Sequence, residues 1–187
     1  MAEAQQQAAG LTAADLEFFS EQGYLVLPGI MSPAHCEQVK RDIDLLMLQP
    51  ERDDPDGPSR QAVHIAEKET LGALTVFEPV VSRVAALMDA ASSENGGERA
   101  FSFHHQHASR MDAGTGASDW HHDYEAHPQV DRELLMVHCF YYPNGLNGEI
   151  GDLIVLPRSH KVVMDRGHDV FGHLFNDEIL PGTVSLA

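Results

Sequence analysis

With 187 residues the chain has the length of one ordinary domain, enough to bury a core without disulfide or metal staples. Its 29 acidic against 12 basic residues leave a formal charge of -17, which repels a phosphate backbone and argues against nucleic acid as a partner. Two cysteines, Cys36 in a helix-like pattern and Cys139 in a strand-like one, fit two buried thiols in a reducing compartment better than a disulfide framework.

The opening residues 1–10 lack the basic and apolar regions of a signal peptide. Charged residues and histidines interrupt every hydrophobic stretch, so no membrane span is expected. These features predict one soluble, cytoplasmic domain over residues 1–187. Thr12 with Asp15 three residues later marks a helix start, and Gly23 ends that helix. Tyr24 to Leu27 reads as a strand closed by Pro28-Gly29. Ser32-Pro33 is an N-cap and first-turn pair, with Cys36, Val39, Ile43 and Leu46 at helical spacing to about Gln49. Pro50 to Arg60 is rich in turn formers and reads as a surface loop. A further helix starts near Pro79 and runs through Val80, Val84 and Leu87 towards Ser92. Strand-like pieces then follow at Phe101 to Arg110, Leu134 to Tyr142 and Leu153 to Leu156. A helical part over about residues 11–97 followed by a β-core from about 101 predicts an α+β domain with helices packed on the strands.

The chain holds 12 histidines, and seven of them fall between His104 and His138. A clustered pH-sensitive surface is one reading of that crowding. The stretch Asp119-Trp120-His121-His122-Asp123-Tyr124-Glu125 offers another. In an extended segment residues i and i+2 share a face, so His121 and Asp123 point one way and His122 the other. One imidazole and one carboxylate supply two corners of a 2-His-1-carboxylate triad, which holds Fe(II) and leaves three positions open. Taken alone, a His-x-Asp tripeptide arises easily in a chain this rich in both residues. HExxH, a Walker loop, a GxGxxG after a strand and a GxSxG elbow are all absent from the sequence.

Three separated segments carry a resemblance. Trp120-His121-His122-Asp123-Tyr124-Glu125, then Leu146-Asn147-Gly148, then Leu153 to Pro157 with Arg158-Ser159-His160-Lys161, resemble the phytanoyl-CoA dioxygenase family, including its ectoine-hydroxylase-like branch. Phe19 to Gly23 and the following Tyr24-Leu-Val-Leu-Pro28-Gly29 are similar to that family's opening segment. The resemblance implies a double-stranded β-helix (jelly-roll, cupin-like) core. It also implies Fe(II), 2-oxoglutarate and O2, with His121 and Asp123 as iron ligands and catalytic residues. The implied reaction hydroxylates a C–H bond of a small molecule and releases succinate and CO2. A Gly or Ala at position 123 would open room for halide, as in the family's halogenating members, so the carboxylate of Asp123 favours hydroxylation.

The family usually has Pro-Gly-Ser/Thr-His where this chain has Pro157-Arg158-Ser159-His160; the change alters a turn and removes no ligand. The family's distal iron-binding His and its 2-oxoglutarate-binding Arg lie on later strands, which the resemblance places beyond Ala187. The barrel is accordingly expected to lack its C-terminal strands. His160, His168 and His173 lie downstream of the motif but outside the family's distal context.

Gln106, Ala108 and Arg110 share one face of the first β-segment, opposite His105 and His107. The family places co-substrate contacts on this strand, so Gln106 and Arg110 are the candidates for 2-oxoglutarate. A solvated strand-end cation is an equally good account of Arg110. Phe140 and Tyr142 read as core residues first and a co-substrate wall second. Two other functions stay open on the sequence. One is a non-catalytic metal-binding or interaction module that keeps the jelly-roll shell; the other is a different cupin-type metal enzyme using His107, His121 and Asp123. Specificity is expected in the loops Pro50 to Arg60, Ala126 to Arg132 and Lys161 to Asp177, which do not name a substrate.

Overall fold

In the computed structural model, Thr12 opens helix α1, Ala13–Gln22, with a complete capping box. Asp15 N donates to Thr12 Oγ1 at 3.2 Å, and Thr12 N donates back to Asp15 Oδ2 at 2.8 Å. Each bond satisfies an amide that a helix start would otherwise leave without a partner. Gly23 ends the helix in the left-handed region at φ 84°, its N–H donating to Phe19 O at 2.8 Å. The structure describes residues 10–47, 59–62, 69–93, 101–111, 136–149, 151–161 and 184–186. Contacts divide the chain into two units, one within Leu27–Gly116 and Tyr141–Asn144, the other within Leu11–Val26, Ala117–Phe140 and Gly145–Ala187.

In the first unit, helix α2 (Pro33–Met47) starts where Ser32-Pro33 predicts, with His35 N donating to Ser32 Oγ at 3.2 Å. Val39, Leu46 and Met47 are its buried apolar residues, and Cys36 and Ile43 pack beside them, which is the predicted stripe. Strand β1 (Ser59–Ala62) pairs antiparallel with β2 (Ala108–Met111), Arg60 opposite Arg110 and Ala62 opposite Ala108. Helix α3 (Glu69–Ala73) continues into a 3-10 turn, Leu74–Val76, and helix α4 (Glu78–Ser93) begins beside Pro79 as its sequence predicts. Met31, Val39, Leu46, Met47, Leu71, Leu74 and Ala108 form the core, so α2 packs on α3 and on both strands.

Among the described residues of this unit, the charged residues Asp42 and Arg83 are buried. Asp42 accepts from Gln38 Nε2 at 3.0 Å one turn earlier, and the Arg83 guanidinium donates to Pro79 O. Each has a hydrogen-bonding partner in the same helix, which is what makes burial of a polar group tolerable. Residues Glu69–Ala90, with mean hydropathy 1.5 over the window, are long and apolar enough to cross a membrane by length and composition. This corrects the expectation that charges break every apolar stretch too soon: the run carries only Glu69, Glu78, Arg83 and Asp89, too few and too far apart to do so. It is not one continuous helix: the 3-10 turn and the extended backbone of Phe77 (φ -66°, ψ 102°) break it.

In the second unit, β3 (Ile154–Val155) pairs antiparallel with β4 (Val184–Ser185), and Leu186 N donates to Leu153 O at 3.0 Å. A depression of about 410 Å³ is lined by Phe18, Tyr24, Leu25, Val26, Val184 and Leu186, with the capping residue Asp15 at its wall. Phe18 and Tyr24 meet edge to face there, ring centroids 5.4 Å apart.

Several strand expectations need correction. Tyr24 to Leu27 is irregular, residues 101–107 are irregular before β2, and so are residues 136–142. Apolar alternation alone does not make a strand, because a ladder partner has to be present. Phe140 is 57% exposed and Tyr142 37%, so neither is a core residue. Of the two free thiols, Cys36 is half-buried and Cys139 is exposed, because residue 139 lies on the irregular segment. Most of the loop from Pro50 lies outside the described residues, but its end, Ser59-Arg60, is the start of β1.

Candidate functional site

His121 and Asp123 lie outside the described residues, as do His127, His168 and His173. Among the described residues no group of three His, Cys, Asp or Glu stands close enough to hold a metal ion. His104, His105 and His107 are exposed: His104 meets His105 edge-on, ring centroids 4.7 Å apart and the two Nδ1 atoms 2.5 Å apart, and His105 stacks on His107 at 5.9 Å. His138 stacks against Phe140 at 6.2 Å.

The two co-substrate candidates are described, and the alternation predicted for them is visible. Ala108 is buried, Gln106 is half-buried, and His105 and His107 are exposed on the other side. Gln106 Nε2 donates to Leu71 O at 3.3 Å, while its Oε1 is buried and accepts no hydrogen bond from a described residue. Arg110 reaches the end of the α2-covered face, where its Nη1 donates to Asp44 Oδ1 at 3.2 Å. Both side chains of that ion pair are largely exposed, at 43% and 60%. The sequence singles out Arg110 as a candidate and gives no sign of Asp44. Nothing in a polar position on an amphipathic helix says which residue, 66 positions on, will meet it.

His160 has a role that the sequence did not disclose. Its Nε2 lies 3.0 Å from Ser20 O, and its ring packs over Gly23, where a Cβ would stand 2.9 Å from the ring Cγ and Cε1. Arg158 N donates to Gln22 O at 2.9 Å, and Lys161 Nζ bonds Glu21 Oε1 at 2.7 Å. The turn Pro157 to Lys161 therefore covers the carbonyl end of α1, where a helix leaves acceptors without internal partners. The ammonium of Lys161 holds the Glu21 carboxyl below its ordinary value, mainly through that hydrogen bond and their charge attraction. Arg158 sits at φ 66°, in the left-handed region that glycine adopts freely. Here an Arg holds the turn in that conformation.

A family model described as phytanoyl-CoA dioxygenase (PhyH) matches residues 19–180. No curated protein and no solved structure matches the chain. The matched span begins within α1 and takes in β2, the His121 to Asp123 segment and the turn over α1. By this match the protein is of the Fe(II)- and 2-oxoglutarate-dependent oxygenase class. It belongs to the phytanoyl-CoA dioxygenase family.

Proposed function

We propose that this chain hydroxylates a C–H bond of a small-molecule substrate, using Fe(II), 2-oxoglutarate and O2 and releasing succinate and CO2. The observation that carries the reading is the family match over residues 19–180, with His121 and Asp123 inside it. In this reading His121 and Asp123 are iron ligands on a jelly-roll core that forms one domain. The residues present fit both groups in kind. An imidazole and a carboxylate suit Fe(II), and Arg110 already holds a carboxylate, that of Asp44, at 3.2 Å.

When bound, the metal and co-substrate supply the oxidative chemistry; the protein supplies position. Arg110 takes a carboxylate of 2-oxoglutarate by exchanging it for Asp44. 2-Oxoglutarate presents acceptors, so Gln106 contributes through Nε2, which it must release from Leu71 O. The guanidinium is therefore the main co-substrate contact of the two.

The test is an anaerobic titration of Fe(II) and 2-oxoglutarate into the whole chain, watching the visible charge-transfer band of the chelate. The band should appear in the parent and vanish in His121→Ala and in Asp123→Ala. A parent chain with no band would remove the hydroxylase reading and leave a non-catalytic member of the family.

A further inference from the structure

The Nδ1 atoms of His104 and His105 lie 2.5 Å apart, with both rings exposed. Two ring nitrogens do not meet at that distance with both lone pairs bare or with both protonated, because like ends of their dipoles then face each other. One positive centre has to stand between them: a shared proton, or a metal ion that takes both lone pairs. The shared proton needs one ring to donate through Nδ1 and the other to accept. With a metal, the donor ring carries its proton on Nε2 instead, so none has to be expelled.

The surroundings suit the metal. Zinc–nitrogen bonds of about 2.0–2.1 Å at right or tetrahedral angles set two ligating nitrogens about 2.9–3.3 Å apart, so the pair has to open by less than about 1 Å. Both residues are exposed and on irregular backbone, where rings can turn that far. His105 is already oriented, stacked on His107 with ring planes 6° apart. Beyond it the chain is anchored by buried Ala108 and by Gln106 Nε2 donating to Leu71 O. The formal charge of -17 draws cations to the surface as a whole.

We propose that His104 and His105 together bind one late first-row divalent cation, such as Zn(II), through their two Nδ1 atoms, with water completing its shell. The site uses neither His121 nor Asp123. Among the described residues no third His, Cys, Asp or Glu stands with the pair, so the ion is exchangeable, unlike one in a closed structural site.

The test is an NMR titration of Zn(II) into the full chain, isotope-labelled at its histidines, at about pH 7.5, above the ordinary histidine value. The His104 and His105 ring signals should shift together and saturate at one Zn(II) concentration. In His104→Ala the His105 signal should need on the order of 10²-fold more Zn(II), because the effective concentration of the second ligand is lost. His107→Ala and His121→Ala should leave the joint shift of the pair in place. Signals that move independently, or a His105 response as tight in His104→Ala as in the parent, would overturn the proposal and leave the pair sharing a proton only. Loss of the joint shift in His107→Ala or in His121→Ala would overturn it too, because the ion would then be held by ligands other than this pair.

Discussion

Arg158 holds a backbone conformation that side chains avoid, with φ at 66°. Keeping a Cβ-bearing residue in that region costs about 1–2 kcal/mol, whereas glycine adopts it freely but loses about 0.5–1 kcal/mol through its greater chain entropy. Arg158→Gly should therefore leave stability unchanged or raise it by up to about 1 kcal/mol in a urea melt, although a long side chain is removed. Arg158→Val, β-branched, should lower it. A clear loss of stability in Arg158→Gly would show that the arginine side chain, not the turn, is what matters. Asp44 makes a second case at this scale. Its exposed ion pair with Arg110 is worth only about 0.2–1 kcal/mol, so Asp44→Asn should tighten 2-oxoglutarate by no more than about fivefold. Weaker binding in that variant would show that Asp44 positions the guanidinium instead of competing for it. Glu21 titrates below its ordinary value of 4.5 because Lys161 stabilises its charged form. A depressed value in the folded state means the pairing contributes above the unfolded value and is lost as pH falls through the folded one. An NMR titration of Glu21 should show the low midpoint in the parent and a return to the ordinary range in Lys161→Ala.

Helix α1 depends on its two ends. It has ten residues and none of them is buried, so neither length nor core packing secures it. Its start is held by the Thr12–Asp15 box, and its end by Gly23 and the turn from Pro157 to Lys161. Gly23→Ala should cost at least about 1–2 kcal/mol from the positive φ alone, with more from the collision with the His160 ring. Circular dichroism during chemical unfolding would measure it, and a cost under about 0.5 kcal/mol would sink this account of the helix end. Helix starts were legible in the sequence because a cap is local: Thr12, Ser32-Pro33 and Pro79 each carry the signal within a few residues. Strands were not. β1 lay hidden in the end of a turn-rich loop, while the apolar pattern at Tyr24 to Leu27 and at residues 136–142 produced no ladder among the described residues. What decides a strand is a partner elsewhere in the chain.

For the molecule as a whole, the charge of -17 is a standing self-repulsion. Raising ionic strength from low salt should lift the thermal midpoint, because exposed like charges are screened beyond about 10 Å at 0.1 M. A flat midpoint would mean that local ion pairs already compensate the field.

His121 and Asp123 came from the two-residue period of extended backbone and from the residues around them, and the family match over residues 19–180 supports the class of chemistry they imply. Helix positions, the buried stripe of α2 and the exposed strand-end Arg110 were likewise determined by the sequence, because period and capping act over a few residues. Only the tertiary structure decided that His160 covers the end of α1, that Asp44 meets Arg110, and that Arg60 stands opposite Arg110. Those pairs lie 140, 66 and 50 positions apart, and which distant residues meet is set by packing and strand register, not by local spacing.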